Sequence, residues 1–395
     1  MTVTIYTGAS QVSLFHSDPP GATGMTGPTG VTGATAATGS ALDSLAHGYA
    51  RQYGSYVSTE PDWLTKGANI TDDSGAFADP LRHQFGLMGG GHGVSQETDI
   101  RLFNTTTGVW SSAYASTRFA DMLAANEDTT KGRWINTNQP MARHTYSTMV
   151  VRGNVLHVLA TYINPQLLPI DLTDFTGQLC RYDLASIADP TTRWTFNAVT
   201  DTVSGAVTNM PWQYQSGAAV DQVSNKIIVF GQDTSFFSRA WLFDPDANTY
   251  TKGPTTGANA QPTNAVYCPD NDKFYQFQNG GVVCELTLNR SNFAASTSVK
   301  LTTSGPTPPL PGRPYGYPSF SWDPIRKRCG GSFVNGVHYE FDPIAKAWTA
   351  TTVLLEAGST GVVTNDFATA RYMTDVGCYV MVTIATSPHT WVYRP

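Results

Sequence analysis

The sequence predicts an all-β fold: a six-bladed β-propeller with four-stranded blades, preceded by an extended N-terminal anchor and stalk and a short helix. Three observations predict it. A unit of about 40 residues recurs, in which apolar runs alternate with Asp, Asn and Pro turns and close on an aromatic residue. Charged residues make up only 14% of the chain, while Thr, Gly, Tyr and Val, the residues of strands and tight turns, abound. The first 40 residues break this pattern, and from Gly21 to Gly33 they carry glycine at every third position.

In chain order, residues 1–40 read as an anchor and stalk. Val3 and Ile5 alternate with polar neighbours in TVTIY, the pattern of a short strand. From Gly21 the chain runs through five Gly-X-Thr triplets in register, with glycines at Gly21, Gly24, Gly27, Gly30 and Gly33. Glycine at every third position is what a collagen-like triple helix requires, since only glycine fits at its axis, and such a tract would span roughly 45 Å at about 3.1 Å per residue. The tract holds a single proline, Pro28, so an extended Gly/Thr linker is the other reading. Residues 41–55 place Leu42, Leu45, Ala46, Tyr49 and Tyr53 at helical spacing and predict a short amphipathic helix.

Residues 56–395 form the propeller. Its clearest copies run over 216–254, 265–299 and 318–353, with turns DPDAN, CPDND, DPIRK and DPIAK. Asp and Asn bond to the backbone ahead of them and tolerate left-handed angles, and Pro presets φ, so these are hairpin turns rather than metal loops. Looser copies lie upstream and downstream. The aromatic residues that end each copy are Trp110, Trp194, Tyr250, Phe293, Trp348 and Trp391, separated by 84, 56, 43, 55 and 43 residues, which gives six blades. Packing between blades is the role expected of these rings. The last copy stops about one strand short, and SYVSTEPDWLTKG at 55–67, with Trp63, is expected to complete it and close the ring.

The order Gly-Gly, Asp, Trp in these copies resembles kelch-type propellers across residues 56–395. Gly89, Gly90 and Gly91 and the pair Gly330 and Gly331 supply the Gly doublet, whereas the other copies have GQ, TY, NG or IA there. The resemblance therefore implies the fold and not a family activity.

With 24 basic and 30 acidic residues the net charge is −6 and no dense Lys/Arg run occurs, so nucleic acid is not an expected partner. No stretch approaches 18 consecutive apolar residues, and MTVTIYTGASQ has neither a basic nor an apolar leader region, so neither a secretory signal nor a membrane span is expected. Cys180, Cys268, Cys284, Cys329 and Cys378 are odd in number and read as buried thiols, with a Cys268–Cys284 bridge as the exception.

No catalytic residue, cofactor or metal is expected. No P-loop, GxSxG or HExxH occurs, and the eight histidines form no His-x-His pair of the kind a copper-oxidase kelch propeller needs. His92 in GGGHG reads as a turn residue, and TDDSGAF at 71–77 lacks the Ser and Trp of a sialidase Asp-box. Asp121, Glu127 and Asp128 are the acids from which a glycosidase pair would be drawn.

Binding is the expected role, because a propeller presents loops around a rigid ring. Three surfaces combine flat apolar and hydrogen-bonding side chains suited to sugars: Arg133, Trp134, Asn136 and Asn138 in the insertion at 115–142; Phe236, Phe237 and Arg239; and Arg313, Tyr315 and Tyr317. Anchor, glycine-repeat stalk, helix and β-rich head resemble the layout of bacteriophage virion appendages. The resemblance implies a virion protein made in the host bacterial cytoplasm, a tail fibre or spike joined to other virion proteins through its N-terminus, a homotrimer through the stalk, and a head that binds a host-surface glycan or protein without catalysis. A head-decoration or collar fibre and a polysaccharide-degrading head are the alternatives.

Overall fold

The computed structural model describes residues 42–54, 74–89, 97–160, 162–163, 175–186, 189–208, 216–233, 237–256, 263–309, 319–364, 369–383 and 389–395. The chain divides into two units, residues 1–38 and 39–395, and all the described residues belong to the second. Val3, Ile5, Gly21, Gly24, Gly27, Gly30, Gly33, Trp63, Phe236, Arg313, Tyr315 and Tyr317 lie outside the described residues, as do Gly90, Gly91 and His92.

The described chain is mostly β. Its first sheet is Ser74–Asp79, Gln84–Gly89, Arg101–Asn104 and Val109–Ser112, each strand antiparallel to the one before it. The second is Met149–Arg152, Val155–Val158, Leu179–Asp183 and Trp194–Asn197. The third is Gly217–Asp221, Lys226–Gln232, Ser238–Asp244 and Thr249–Thr255, widened at its outer edge by Val199–Asp201 and Val207–Thr208. The fourth is Thr263–Cys268, Lys273–Gln278, Val282–Thr287 and Thr297–Lys300, and the fifth is Ser321–Asp323, Arg328–Val334, Val337–Asp342 and Ala347–Thr352. The sixth joins Arg371–Met373, Cys378–Val382 and Thr390–Tyr393 to Tyr49–Tyr53 from the other end of the unit.

One local device builds most of the hairpins. The carboxylate of Asp323 accepts from the amides of Ile325 and Arg326, and Asp342 and Asp244 do the same two and three residues on. The residue that closes each turn, Lys327, Lys346 or Asn248, sits at φ 57°, 53° and 56°, the left-handed setting that returns the chain antiparallel.

The second strands of the third and sixth sheets read as near-continuous apolar runs rather than alternating ones, and the packing shows why. Lys226–Gln232 and Cys378–Val382 are buried on both faces, because each sheet is covered by a neighbour on either side. Apolar clusters fill the space between consecutive sheets. Phe77 and Met88 meet Leu156 and Tyr182, Leu159 meets Val229 and Trp241, and Ile228 and Phe230 meet Tyr267 and Phe274. Phe277 then meets Phe341 and Trp348, Phe333 meets Tyr379 and Trp391, and Val380 and Val392 of the sixth sheet return to Phe85 and Leu87 of the first. The first strands of the sheets touch in the same cyclic order.

The short helix expected over 41–55 is corrected. Leu42–Ser44 and His47–Gly48 are turns, and Tyr49–Tyr53 is a strand antiparallel to Thr390–Tyr393, with Ala50 opposite Tyr393. Leu42 and Leu45 are buried beside Met373 and Val380, a contact that the helical spacing matched by coincidence. Gly48, at φ 82°, stops a helix from running through the segment. The strand that completes the sixth sheet therefore lies before residues 55–67, which are outside the described residues.

The blade-end aromatics lie between or against sheets. Trp194, Tyr250, Phe293, Trp348 and Trp391 are buried, and half-buried Trp110 donates from Nε1 to Thr390 Oγ1 at 2.6 Å, tying the first sheet to the sixth. All five cysteines are buried and unbridged. No helix among the described residues is long and apolar enough to cross a membrane.

Candidate functional site

The 115–142 insertion folds against the second sheet. It contains two single-turn helices, Phe119–Asp121 and Ala124–Asn126, and a small sheet of Glu127–Asp128, Arg133–Trp134 and Gln139–Pro140. The sugar-facing surface expected of Arg133, Trp134 and Asn138 is corrected. Trp134 is 1% exposed among Met122, Met141 and Ile163, so its ring face is closed to solvent. Arg133 donates from Nε to Asp128 Oδ2 at 3.1 Å and from Nη1 to Asn138 Oδ1, with its guanidinium 5.6 Å over the Phe196 ring. Asn138 Nδ2 donates to the carbonyls of Thr191 and Trp194 at 2.5 and 3.3 Å. Asn136 is exposed.

Arg143 holds the insertion down. Fully buried, it donates to the carbonyls of Met141, Ala160, Gln178 and Gly132, and burial lowers its pKa. Two of the insertion's three acids are engaged: Asp121 pairs with Arg118, which lowers its pKa, and Asp128 pairs with Arg133, while Glu127 has its Oε2 buried without a hydrogen-bond partner. At the second expected surface Phe237 is 63% exposed, while Arg239 bonds Asp233 and the Gly253 carbonyl.

The ring of first strands frames a different site. A cavity of about 270 Å³ lies on its axis, lined by residues from all six sheets. Its wall takes Phe77 and Ala78 from the first sheet, Val150 and Val151 from the second, Ala218 and Val220 from the third, Val266 and Tyr267 from the fourth, Ser321 and Trp322 from the fifth, and Arg371 from the sixth. Gln222, in the turn that follows Asp221, places the cavity at the ring end where first strands turn into second strands. Trp322, Val151, Val220 and Ser321 are half-buried, and Trp322 also packs against the apolar cluster between the fourth and fifth sheets.

Arg371 is the one charged residue in this wall, and burial lowers its pKa to about 10, which leaves it charged at neutral pH. Its Nη1 donates to the Ala370 carbonyl at 2.8 Å, which steadies the guanidinium. Around the mouth four acids are held by basic side chains. Asp79 pairs with Arg82 at 2.8 Å, Asp221 with Arg290 at 2.8 Å, Asp270 with Lys327 at 2.8 Å, and Asp375 with His83 at 2.9 Å, whereas Asp323 accepts from the amides of Ile325 and Arg326 and keeps Oδ2 buried without a hydrogen-bond partner. Leu81, Val223 and Ile325 occupy the same turn position in the first, third and fifth sheets and are 73%, 64% and 72% exposed.

None of the mouth residues was singled out by residue type. The signal that marks them is positional: Ala78, Val220 and Trp322 each directly precede the Asp that opens a hairpin turn. Among the described residues no group of three or more His, Cys, Asp or Glu side chains is placed to hold a metal ion.

No protein-family model matches the chain, and no curated protein matches it. Solved structures do. A gluconolactonase from Xanthomonas campestris is 9% identical, with a TM-score of 0.46, over 83% of this chain and 88% of that one. An auxiliary nutrient-binding protein from Bacteroides thetaiotaomicron is 11% identical, with a TM-score of 0.48, over 82% of this chain and 69% of that one. Both are β-propeller-like proteins of many small sheets. The expectation that this chain is not an enzyme is corrected at this point: a structure it resembles is a gluconolactonase, and an absence of catalysis is not carried forward.

Proposed function

We propose that the chain is a virion appendage of the tail-fibre or spike type, whose head is a six-bladed, kelch-like propeller that engages a host-surface glycan or protein at its axial mouth. Support for six blades comes from the six sheets of four or more strands and from first strands that touch in a closed cycle. Support for the kelch likeness comes from the glycines of second strands, Gly89 at the end of Gln84–Gly89 and Gly330 within Arg328–Val334. Gly89 takes φ 101°, and a Cβ there would lie 2.4 Å from Thr145 Oγ1, while a Cβ on Gly330 would lie 2.3 Å from the Tyr379 hydroxyl.

The observation that carries the appendage reading is the order of parts: five Gly-X-Thr triplets in register ahead of a ring-shaped β head. A stalk that trimerises heads multiplies weak contacts through avidity, the economy expected of an attachment protein. Residues 1–40 then serve as the junction with other virion proteins and as the trimerising segment.

Light scattering on the full chain and on a version lacking residues 1–40 tests the stalk. A trimer that falls to monomer on truncation supports it, and monomers in both forms refute it. Passing the full chain over immobilised lipopolysaccharide and capsular polysaccharide tests the head, with reducing-end release measured in the same samples. Retention supports attachment, and failure to retain any of them refutes glycan recognition.

A further inference from the structure

We propose that the seam between the fifth and sixth sheets is a proton-dependent clasp: Glu340, Tyr379 and Asp323 share one proton, and the ring closes more tightly while they hold it. The inference concerns how the ring closes and stands whether or not the head binds a glycan.

The strands bring the groups together. Val337–Asp342 places His338 and Glu340 two residues apart, hence on one face. Gly330 lies opposite Glu340 in the adjacent strand. A Cβ at Gly330 would collide with the Tyr379 hydroxyl and stand 3.0 Å from His338 Nε2, so this glycine admits the tyrosine from the sixth sheet. The His338 ring lies among Phe333, Tyr379 and Tyr393, with centroids 4.5, 5.0 and 5.0 Å away. Asp323 ends the first strand of the fifth sheet, and its charge reaches both Tyr379 and Tyr372. Asp323, His338, Glu340 and Tyr379 are all buried.

The hydrogen bonds of this group do not close. The Gly331 amide donates to His338 Nε2 at 3.1 Å, which puts the ring hydrogen on Nδ1, 3.9 Å from Glu340 Oε1. Arg326 donates to the same Oε1. Glu340 Oε2, Asp323 Oδ2 and the Tyr379 hydroxyl are buried without a partner among the described residues, a costly state for polar atoms. Two ionised carboxylates offer acceptors here, and Tyr379 supplies one hydrogen. One added proton on Glu340 completes the set after small side-chain adjustments: Oε2–H donates to the Tyr379 oxygen, and the Tyr379 hydrogen goes to Asp323 Oδ2.

The surrounding charges favour that proton. On its own strand Glu340 is faced by His338 and by Asp342, which pairs with Arg328 at 3.0 Å. The turn before the second strand supplies Arg326, the first strand Asp323, and the outer strand Ala347–Thr352 no charged residue. The sixth sheet brings Tyr372, Tyr379 and Tyr393, while Arg371 alternates to the other face of its strand. Burial raises the Glu340 pKa against the opposing pull of Arg326 and Arg328, and Asp323 adds to the rise. His338 is neutral, because burial and then Arg326 hold it well below its usual value. A carboxyl raised in the folded chain contributes fully below its ordinary value of 4.5, and that contribution is lost as pH rises through the folded value. The sixth sheet is where Tyr49–Tyr53 meets Thr390–Tyr393, so a looser seam opens the ring at its closing sheet.

Infrared titration of the full chain from pH 5 to pH 8 tests the clasp, with melting curves on the same samples. The natural chain shows a protonated-carboxyl band that fades as pH rises, and Glu340→Gln lacks it. Over the same range the natural chain loses stability relative to Glu340→Gln, by up to about tenfold in the unfolding constant per pH unit. Asp323→Asn keeps the Oδ1 acceptor of its turn but removes the neighbouring charge, so the band fades at lower pH. That shift keeps the test decisive if Glu340→Gln fails to fold. Absence of the band from the natural chain, its persistence in Glu340→Gln, an unmoved band in Asp323→Asn, or a stability difference that ignores pH overturns the inference.

Discussion

Trp134 in the 115–142 insertion and Trp322 at the axial mouth are both tryptophans on short strands near an arginine, and the molecule uses them oppositely. Trp134 is closed in by Met122, Met141 and Ile163, and its neighbour Arg133 is taken up by Asp128 and Asn138. Trp322 stands half-buried in a cavity wall shared with Arg371. The difference is one of topology. The insertion has no sheet to cover its outer side and must form its own core from the large residues it has, whereas first strands at the ring axis leave space on the side away from their sheet. A side chain's type says what it can bind, and its place in the ring decides whether a ligand can reach it.

The contrast is most exposed at Arg143. Arg143→Met leaves the carbonyls of Gly132, Met141, Ala160 and Gln178 without their donor, and urea unfolding is expected to show a loss of about 3–5 kcal/mol. Polysaccharide retention by the fraction still folded stays unchanged. Trp134→Ala comes next, at about 3–4 kcal/mol by the same assay, again with retention intact, since the ring fills a small core rather than a site.

His157 sharpens the comparison from a third region, the seam between the second and third sheets. Burial, then Arg181 and Arg152, lower its pKa to about 3, so it is neutral when folded, while the unfolded chain takes up a proton near 6.5. Its contribution to stability is complete above about pH 6.5 and is lost as pH falls toward 3, at up to about 1.4 kcal/mol per pH unit. Melting curves from pH 7 to 4.5 should fall less steeply for His157→Gln than for the natural chain.

Trp322→Leu is expected to cost about 1–2 kcal/mol, because the ring is half-buried and packs against the cluster of Phe277, Phe341 and Trp348, yet to reduce polysaccharide retention at the axial mouth. Asn136→Ala, at the exposed edge of the insertion, should change neither stability beyond about 0.5 kcal/mol nor retention. A loss of retention there would break the comparison.

Much of the fold was legible because the hairpin device is written into consecutive residues. Asp323-Pro324-Ile325-Arg326-Lys327 contains its own acceptor, its φ restraint and its left-handed closing residue. The segment before the first sheet was misread because Leu42, Leu45, Tyr49 and Tyr53 satisfy helical spacing while making sheet-edge contacts with residues more than 300 positions away. The one local sign against a helix is Gly48, whose φ of 82° breaks the run. The mouth was illegible for a related reason: Ala78, Val220 and Trp322 share no residue type, and what unites them is a place one step before a turn. In the insertion, side chains suited to sugars are equally suited to pinning a loop, and only the three-dimensional partners of Arg133 and Asn138 separate those uses.

The most direct test of the central claim, that recognition belongs to the axial mouth, is side-by-side retention of the full chain, Trp322→Leu and Asn136→Ala on one immobilised bacterial polysaccharide. The account predicts that Asn136→Ala is held like the natural chain while Trp322→Leu, shown folded by its melting curve, is released. Retention of Trp322→Leu together with loss of Asn136→Ala would contradict it and move the site to the insertion.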